Sequence, residues 1–199
     1  GYRVYHSYTS GSCLEPGGEF IATLTITNDC GDTQFTVDSI NVLEPSEALF
    51  DVASNIECVN TPIVFENLTL VGDGVNCNKK ARFTWNFGDG TFINTPFGST
   101  ADNQTHTYTS PGNYTVILSV IGDCGTDTYQ EDICIEPEMI ASYDLNTQEG
   151  CIPLAVNTQN TIDTSELCST PTYNWTVSYN DANCGTTENW EFANGTNAT

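Results

Sequence analysis

An all-β fold of tandem antiparallel sandwiches is predicted by three observations: apolar residues alternating at period two, Pro and Gly clusters between short runs, and internal repetition at about 93 residues. The alternation is plainest at Tyr114, Val116, Leu118 and Val120, which interleave with Thr115, Ile117, Ser119 and Ile121 as in a strand packed on one face. Phe20, Ala22, Leu24 and Ile26 repeat the pattern against Ile21, Thr23, Thr25 and Thr27, so the apolar set should face inward. No stretch carries a helical stripe of useful length.

The repetition brings separate landmarks into register. Pro16-Gly17-Gly18-Glu19-Phe20 through Asn28-Asp29-Cys30-Gly31 falls on Pro111-Gly112-Asn113-Tyr114 through Gly122-Asp123-Cys124-Gly125. Glu44-Pro45 falls on Glu136-Pro137, Cys58 on Cys151, Cys77 on Cys168, and Phe83-Thr84-Trp85 on Tyr173-Asn174-Trp175. The offsets drift by a few residues, as loop insertions between fixed strands would produce. Three segments are expected: the back half of a repeat at residues 1–46, a complete unit at 47–136, and the front half of another at 137–199.

Composition narrows the function. The 199 residues are 38% hydrophobic and 11% aromatic, enough to build cores. Against 26 acidic side chains stand 4 basic ones, a net charge of −22, which repels nucleic acid and anionic lipid. Nine cysteines without a CxxC pair, beside two distant histidines, fit disulfides better than zinc, and imply an extracellular address. No apolar run is long enough to span a bilayer as a helix, and the start lacks a signal segment, so the chain reads as the middle of something longer.

Phe83-Thr84-Trp85-Asn86-Phe87-Gly88-Asp89-Gly90-Thr91, then His106-Thr107-Tyr108 and Pro111-Gly112-Asn113-Tyr114-Thr115-Val116, resembles the PKD repeat, in which a W-x-F-G-D-G strand and turn precede a Y-x-x-x-G-x-Y-x-V strand. The resemblance implies tandem immunoglobulin-like sandwiches, with Trp85, Phe87, Gly88, Asp89, Gly90 and Tyr114 as structural motif residues. The residues agree: Trp85 and Phe87 alternate inward, and the two glycines admit the positive φ of a tight turn. The last segment keeps Trp175 but lengthens its turn to Trp190-Glu191-Phe192-Ala193-Asn194-Gly195-Thr196, a variant similar to PKD-like repeats of large secreted surface adhesins from gliding Bacteroidetes.

In a seven-stranded sandwich the turns gather at two poles, which sorts the cysteines. Cys77 and Cys124 would meet at one pole and Cys58 and Cys134 at the other, with Cys151 pairing Cys184 in the next unit; Cys13, Cys30 and Cys168 would await partners outside the chain. Sequential pairing, Cys58–Cys77 and Cys124–Cys134, remains the alternative.

Motifs for chemistry are missing: there is no H-E-x-x-H, no nucleophile elbow and no phosphate loop. No catalytic residue and no cofactor is expected. His106 reads as a strand residue near the sandwich edge, and Glu131-Asp132 as an incidental pair in an acidic chain. Structural calcium is the one metal worth weighing, at Asp73, Asp89, Asp123 and Asp127, although no D-x-D-x-D-G loop exists and Asp is an ordinary turn former. Asp38-Ser39-Ile40 resembles a short O-glycosylation motif of Bacteroidetes, making Ser39 a candidate; six Asn-x-Ser/Thr triplets would mark glycans in a eukaryotic secreted protein, and the bacterial origin that the resemblance implies makes most of them incidental.

The expected function is a structural and adhesive segment of a long cell-surface protein or filament, a semi-rigid rod of sandwiches joined by Glu-Pro linkers. The alternative is a non-catalytic spacer or carbohydrate-contacting module of a secreted protease or polysaccharide hydrolase, favoured if Trp175 or Trp190 lined an open face. Expected partners are neighbouring repeats, surface polysaccharide or other cells. Because 1–46 and 137–199 are complementary halves, head-to-tail assembly is a third expectation, with a Cys30–Cys168 bond between chains.

Overall fold

The structure, a computed structural model, describes residues 3–149, 154 and 156–175. Among them there is no α-helix, only strands, turns and three short 3-10 turns. The chain divides into two compact units, Gly1–Glu138 and Met139–Thr199.

The first unit begins with a two-stranded hairpin, β1 (Phe20–Asn28) and β2 (Gly31–Ile40), closed at Asn28 opposite Gly31. The sandwich follows. Its smaller sheet holds β3 (Phe50–Val52), β5 (Pro62–Asn67) and β8 (Gln104–Thr107), ordered β3-β5-β8. Its larger sheet holds β4 (Ile56–Cys58), β6 (Arg82–Asn86), β7 (Phe92–Asn94), β9 (Gly112–Gly122) and β10 (Gly125–Glu136), ordered β4-β10-β9-β6-β7. All pairs are antiparallel except β4 on β10, because the chain changes sheets between Val52 and Ile56. This is an immunoglobulin-like β-sandwich, as the alternation predicts.

Side-chain parity decides the core. Phe50, Val52, Ile63 and Phe65 from the smaller sheet meet Phe83, Trp85, Val116, Leu118, Val120, Ile133 and Ile135 from the larger one. Every second residue of β5 is buried, and Val116, Leu118 and Val120 on β9 are fully so. The same alternation in β1 has a different outcome: Leu24, Ile26, Phe35 and Val37 stay exposed, so the expected inward face of the hairpin is not covered. Period two fixes which residues share a face, and a second sheet is needed to bury it.

In the second unit, β11 (Tyr143–Leu145) pairs antiparallel with β12 (Thr158–Asn160). The repeat is visible here as register. Tyr143 opposite Asn160 and Asp144 opposite Gln159 reproduce Phe50 opposite Asn67 and Asp51 opposite Glu66.

Candidate functional site

The motif turn after β6 is the best-built polar site. Trp85 and Phe87 are both fully buried, stacked 6.2 Å apart. Gly88 has φ +82°, and a Cβ there would lie 2.7 Å from the Thr115 carbonyl oxygen, so both conformation and space call for glycine. Asn86 Oδ1 accepts the Gly88 amide at 3.0 Å and Asp89 Oδ1 the Thr91 amide at 2.9 Å. The other Asp89 oxygen lies 2.7 Å from His106 Nε2 on β8, which ties the turn to the opposite sheet. His106 stacks on Phe87 at 4.2 Å and meets Tyr108 edge-on at 4.6 Å. Tyr108 donates to the Phe87 carbonyl at 2.8 Å, and Tyr114 to the Ser110 carbonyl at 3.0 Å.

His106 therefore does more than occupy a strand edge: it closes a clasp between the sheets. The sequence clue lay in His106 and Tyr108 being two apart, hence on one face of a strand. Burial pushes the Asp89 carboxyl up, but the Thr91 amide, then the His106 ring, outweigh it and hold the group below its ordinary value. Burial, then Asp89 and Tyr114, push the Tyr108 hydroxyl well above its usual range, so it remains a donor in alkaline solution. A carboxyl with a depressed folded-state pKa contributes stability above its unfolded value, and the contribution disappears as pH falls through the folded value. Asp89→Asn should thus cost about 1–2 kcal/mol at neutral pH and converge on the parent as the solution is acidified below the ordinary aspartate value, as read by urea midpoints at successively lower pH.

The other turn carboxylates are occupied by protein partners. Asp123 Oδ2 accepts the Val75 amide at 3.0 Å, Asp127 Oδ2 the Ala48 amide at 2.8 Å, and Asp73 faces Lys79 at 4.0 Å. Among the described residues no three His, Cys, Asp or Glu side chains gather as a metal site. Asp132 accepts from Thr115 and Glu131 from Asn55, which leaves that pair on separate hydrogen bonds. Ser39, exposed and at φ 65°, donates to Glu19 at 2.9 Å.

The cysteine pairings need correction. Cys77 is bonded to Cys13, not Cys124, with the Cα atoms 5.4 Å apart. The pole argument does bring the loop after β5 to the β9–β10 turn, since Asp123 binds Val75, but the 3-10 turn Ser12–Leu14 sets Cys13 against Cys77 first. Cys124 and Cys30 are exposed thiols, and Cys168 is already disulfide-bonded, which removes the Cys30–Cys168 bond. The Cys58–Cys134 bridge also fails: Cys58 is a free thiol opposite Glu136, while Cys134 lies opposite Ile56 and is disulfide-bonded. Two residues of offset put such Cα atoms about 8 Å apart, beyond a disulfide's reach. The sequential alternative fails on the same bonds. Cys151, Cys184 and Trp190 lie outside the described residues.

The joint before the sandwich is tightly held. Buried Ser12 exchanges hydrogen bonds with Val42, its amide donating to the carbonyl at 2.8 Å and its hydroxyl accepting the Val42 amide at 3.1 Å. Glu44 accepts the Gly11 amide at 3.1 Å and donates its own amide to Asp73 O at 3.2 Å, and Ser46 Oγ accepts the Gly72 amide at 3.0 Å. A Cβ on Gly72 would strike the Glu44 carbonyl, so glycine permits this close approach of linker to loop.

Residues 64–136 match the PKD domain family, a stretch that covers most of this sandwich. No curated protein is similar enough to count as a relative. Solved structures similar to the chain include the PKD1 domain of Vibrio anguillarum Epp (21% identity, TM-score 0.36, 48% of this chain and 98% of that one). The PKD1 domain of the Vibrio cholerae metalloprotease PrtV is similar at 24% identity and TM-score 0.35, over 47% of this chain and 99% of its own. A carbohydrate-binding module of the β-sandwich superfamily shares 23% identity at TM-score 0.42, over 55% of this chain and 41% of its own length.

Proposed function

We propose that the chain is a segment of an extracellular cell-surface protein in which successive sandwiches act as a stiff spacer with adhesive contacts, divided as 1–46, 47–136 and 137–199. The supporting observation is the repeated register: the turn Asn28–Gly31 matches Gly122–Gly125, and the pair β11–β12 matches β3–β5. Disulfides fit an oxidising compartment, and a linker bonded to the sandwich on both sides of Pro45 transmits load rather than swivelling. Surface polysaccharide, other cells and neighbouring repeats are the partners this reading implies, in a setting such as a large adhesin of gliding bacteria.

Pulling the oxidised chain from its ends tests it. The sandwich should yield in one discrete force peak, releasing about 60 residues and about 200 Å, since the Cys13–Cys77 bridge shields the chain before Cys77. Extension without a peak, or turnover of a peptide or glycoside by the chain itself, would overturn the reading.

A further inference from the structure

The Cys13–Cys77 bond and the free thiol of Cys124 come together at one place in the fold. The loop after β5 is tied there to the β9–β10 turn: Asp123 Oδ2 accepts the Val75 amide at 3.0 Å, and a Cβ on Gly74 would strike the same carboxylate. Cys77 ends the 3-10 turn Val75–Cys77, its amide bonded to the Gly74 carbonyl at 3.0 Å, and Cys124 follows Asp123 directly. Cys124 also borders the linker, sharing a cleft of about 290 Å³ with Pro45, Ser46 and Glu47.

The bond that Cys77 makes is open to exchange. Cys77 and Cys13 are only half-buried and line an open cleft of about 440 Å³. The backbone is strained at this point, with Asn76 at φ 59° and Cys77 at φ 55°, the left-handed region that L side chains avoid. Strained and accessible disulfides are the labile ones, and the group that attacks them is a thiolate. Cys124 is exposed and carries a free thiol.

We propose that Cys13, Cys77 and Cys124 form a thiol–disulfide exchange switch at the joint before the sandwich. The Cys124 thiolate attacks Cys77 Sγ, the Cys77–Cys124 bond forms as the Cys13–Cys77 bond breaks, and Cys13 leaves as a thiolate that takes up the proton Cys124 gave up. One disulfide and one thiol stand on each side, so no oxidant or reductant is consumed. The two states hold different things. With Cys13–Cys77 closed, the arm is joined covalently to the loop after β5 across the linker. With Cys77–Cys124 closed, the bond lies wholly inside the sandwich and joins that loop to the turn of the larger sheet, while the arm keeps its hydrogen bonds to Val42 and Glu44. Exchange thus loosens the joint and spares the sandwich. All three cysteines lie in the first unit. The spacer reading gives the switch its use, but the exchange rests on these bonds alone and would survive that reading's failure.

The test follows Cys13 in the 199-residue chain, purified with the Cys13–Cys77 bond formed and held without oxidant or reductant at about pH 8. Samples quenched with N-ethylmaleimide and peptide-mapped over minutes to hours should show label appearing on Cys13 as it disappears from Cys124, with a Cys77–Cys124 peptide rising in step. At least about a tenth of the chains should exchange, since loop entropy changes slowly with length and the two bonds close loops of comparable length. The rate should be unchanged over a roughly tenfold range of chain concentration, as a step within one chain requires, and the Gly11 and Ser12 amides should exchange hydrogen faster in the product. Cys124→Ser, which leaves the native bond untouched, should keep Cys13 unlabelled throughout. Cys13 unlabelled in the parent, Cys13 labelled equally in Cys124→Ser, a rate that scales with concentration, Cys77 mapped to a cysteine other than Cys124, or unchanged protection at Gly11 and Ser12 would each overturn the proposal.

Discussion

Trp85→Ala should unfold the central sandwich or come close to it, lowering stability by about 3–5 kcal/mol against a typical total of about 5–15. Trp85 has no exposed surface and its ring sits 5.2 Å from Phe50, 6.1 Å from Phe65 and 6.2 Å from Phe87, with Leu118 paired across the sheet. Truncation would leave a cavity walled by aromatic rings from both sheets, and rings held by opposing strands cannot collapse into it. Trp85→Phe should behave differently. The Trp85 indole nitrogen is buried without a hydrogen-bond partner, so the smaller ring loses contact area while removing an unsatisfied donor, and the two effects oppose each other. A net cost of about 1 kcal/mol is expected for Phe, several times less than for Ala. Urea unfolding followed by far-UV circular dichroism separates the three proteins, and a Trp85→Ala midpoint equal to the parent's would refute the core described above.

That contrast marks the limit of the sequence reading. Trp85, Phe87, Val116, Leu118 and Val120 were legible as inward-facing because strand parity is a local property: each residue's face follows from its neighbours two positions away. Leu24 and Ile26 obey the same parity but remain exposed, since burial depends on a facing sheet that parity does not supply. The Asp89–His106 clasp joins a turn of one sheet to a strand of the other, so neither residue's neighbours announce it. The cysteines fall between these cases. Topology correctly brought the loop around Cys77 to the turn around Cys124, yet the choice of partner turned on a three-residue 3-10 turn near the start of the chain.

Removing the Cys13–Cys77 bond carries the other large expected effect. The bridge joins residues 64 apart in sequence, and closing a loop of that length restricts the unfolded chain by about 4 kcal/mol. Strands β3 and β5 lie inside the loop, so the constraint acts on the sandwich as well as on the arm that Cys13 anchors. The arm's remaining ties at Ser12, Gly11 and Glu44 are hydrogen bonds worth about 1 kcal/mol each, too few to replace it. Serine at both Cys13 and Cys77 should therefore cost about 3–4 kcal/mol, whereas Cys124→Ser should be silent because its thiol is already free and exposed. Cys13→Ser alone should fall between them: it frees Cys77 beside the β9–β10 turn, where Asp123 already binds Val75, and exchange with added oxidised glutathione, which is reduced to two thiols, can then join Cys77 to Cys124. Peptide mapping of that single variant under oxidising conditions should recover the new Cys77–Cys124 peptide. If Cys124→Ser instead destabilised the chain as much as Cys77→Ser, the native bond would be Cys77–Cys124, and the arm would be held by its hydrogen bonds alone.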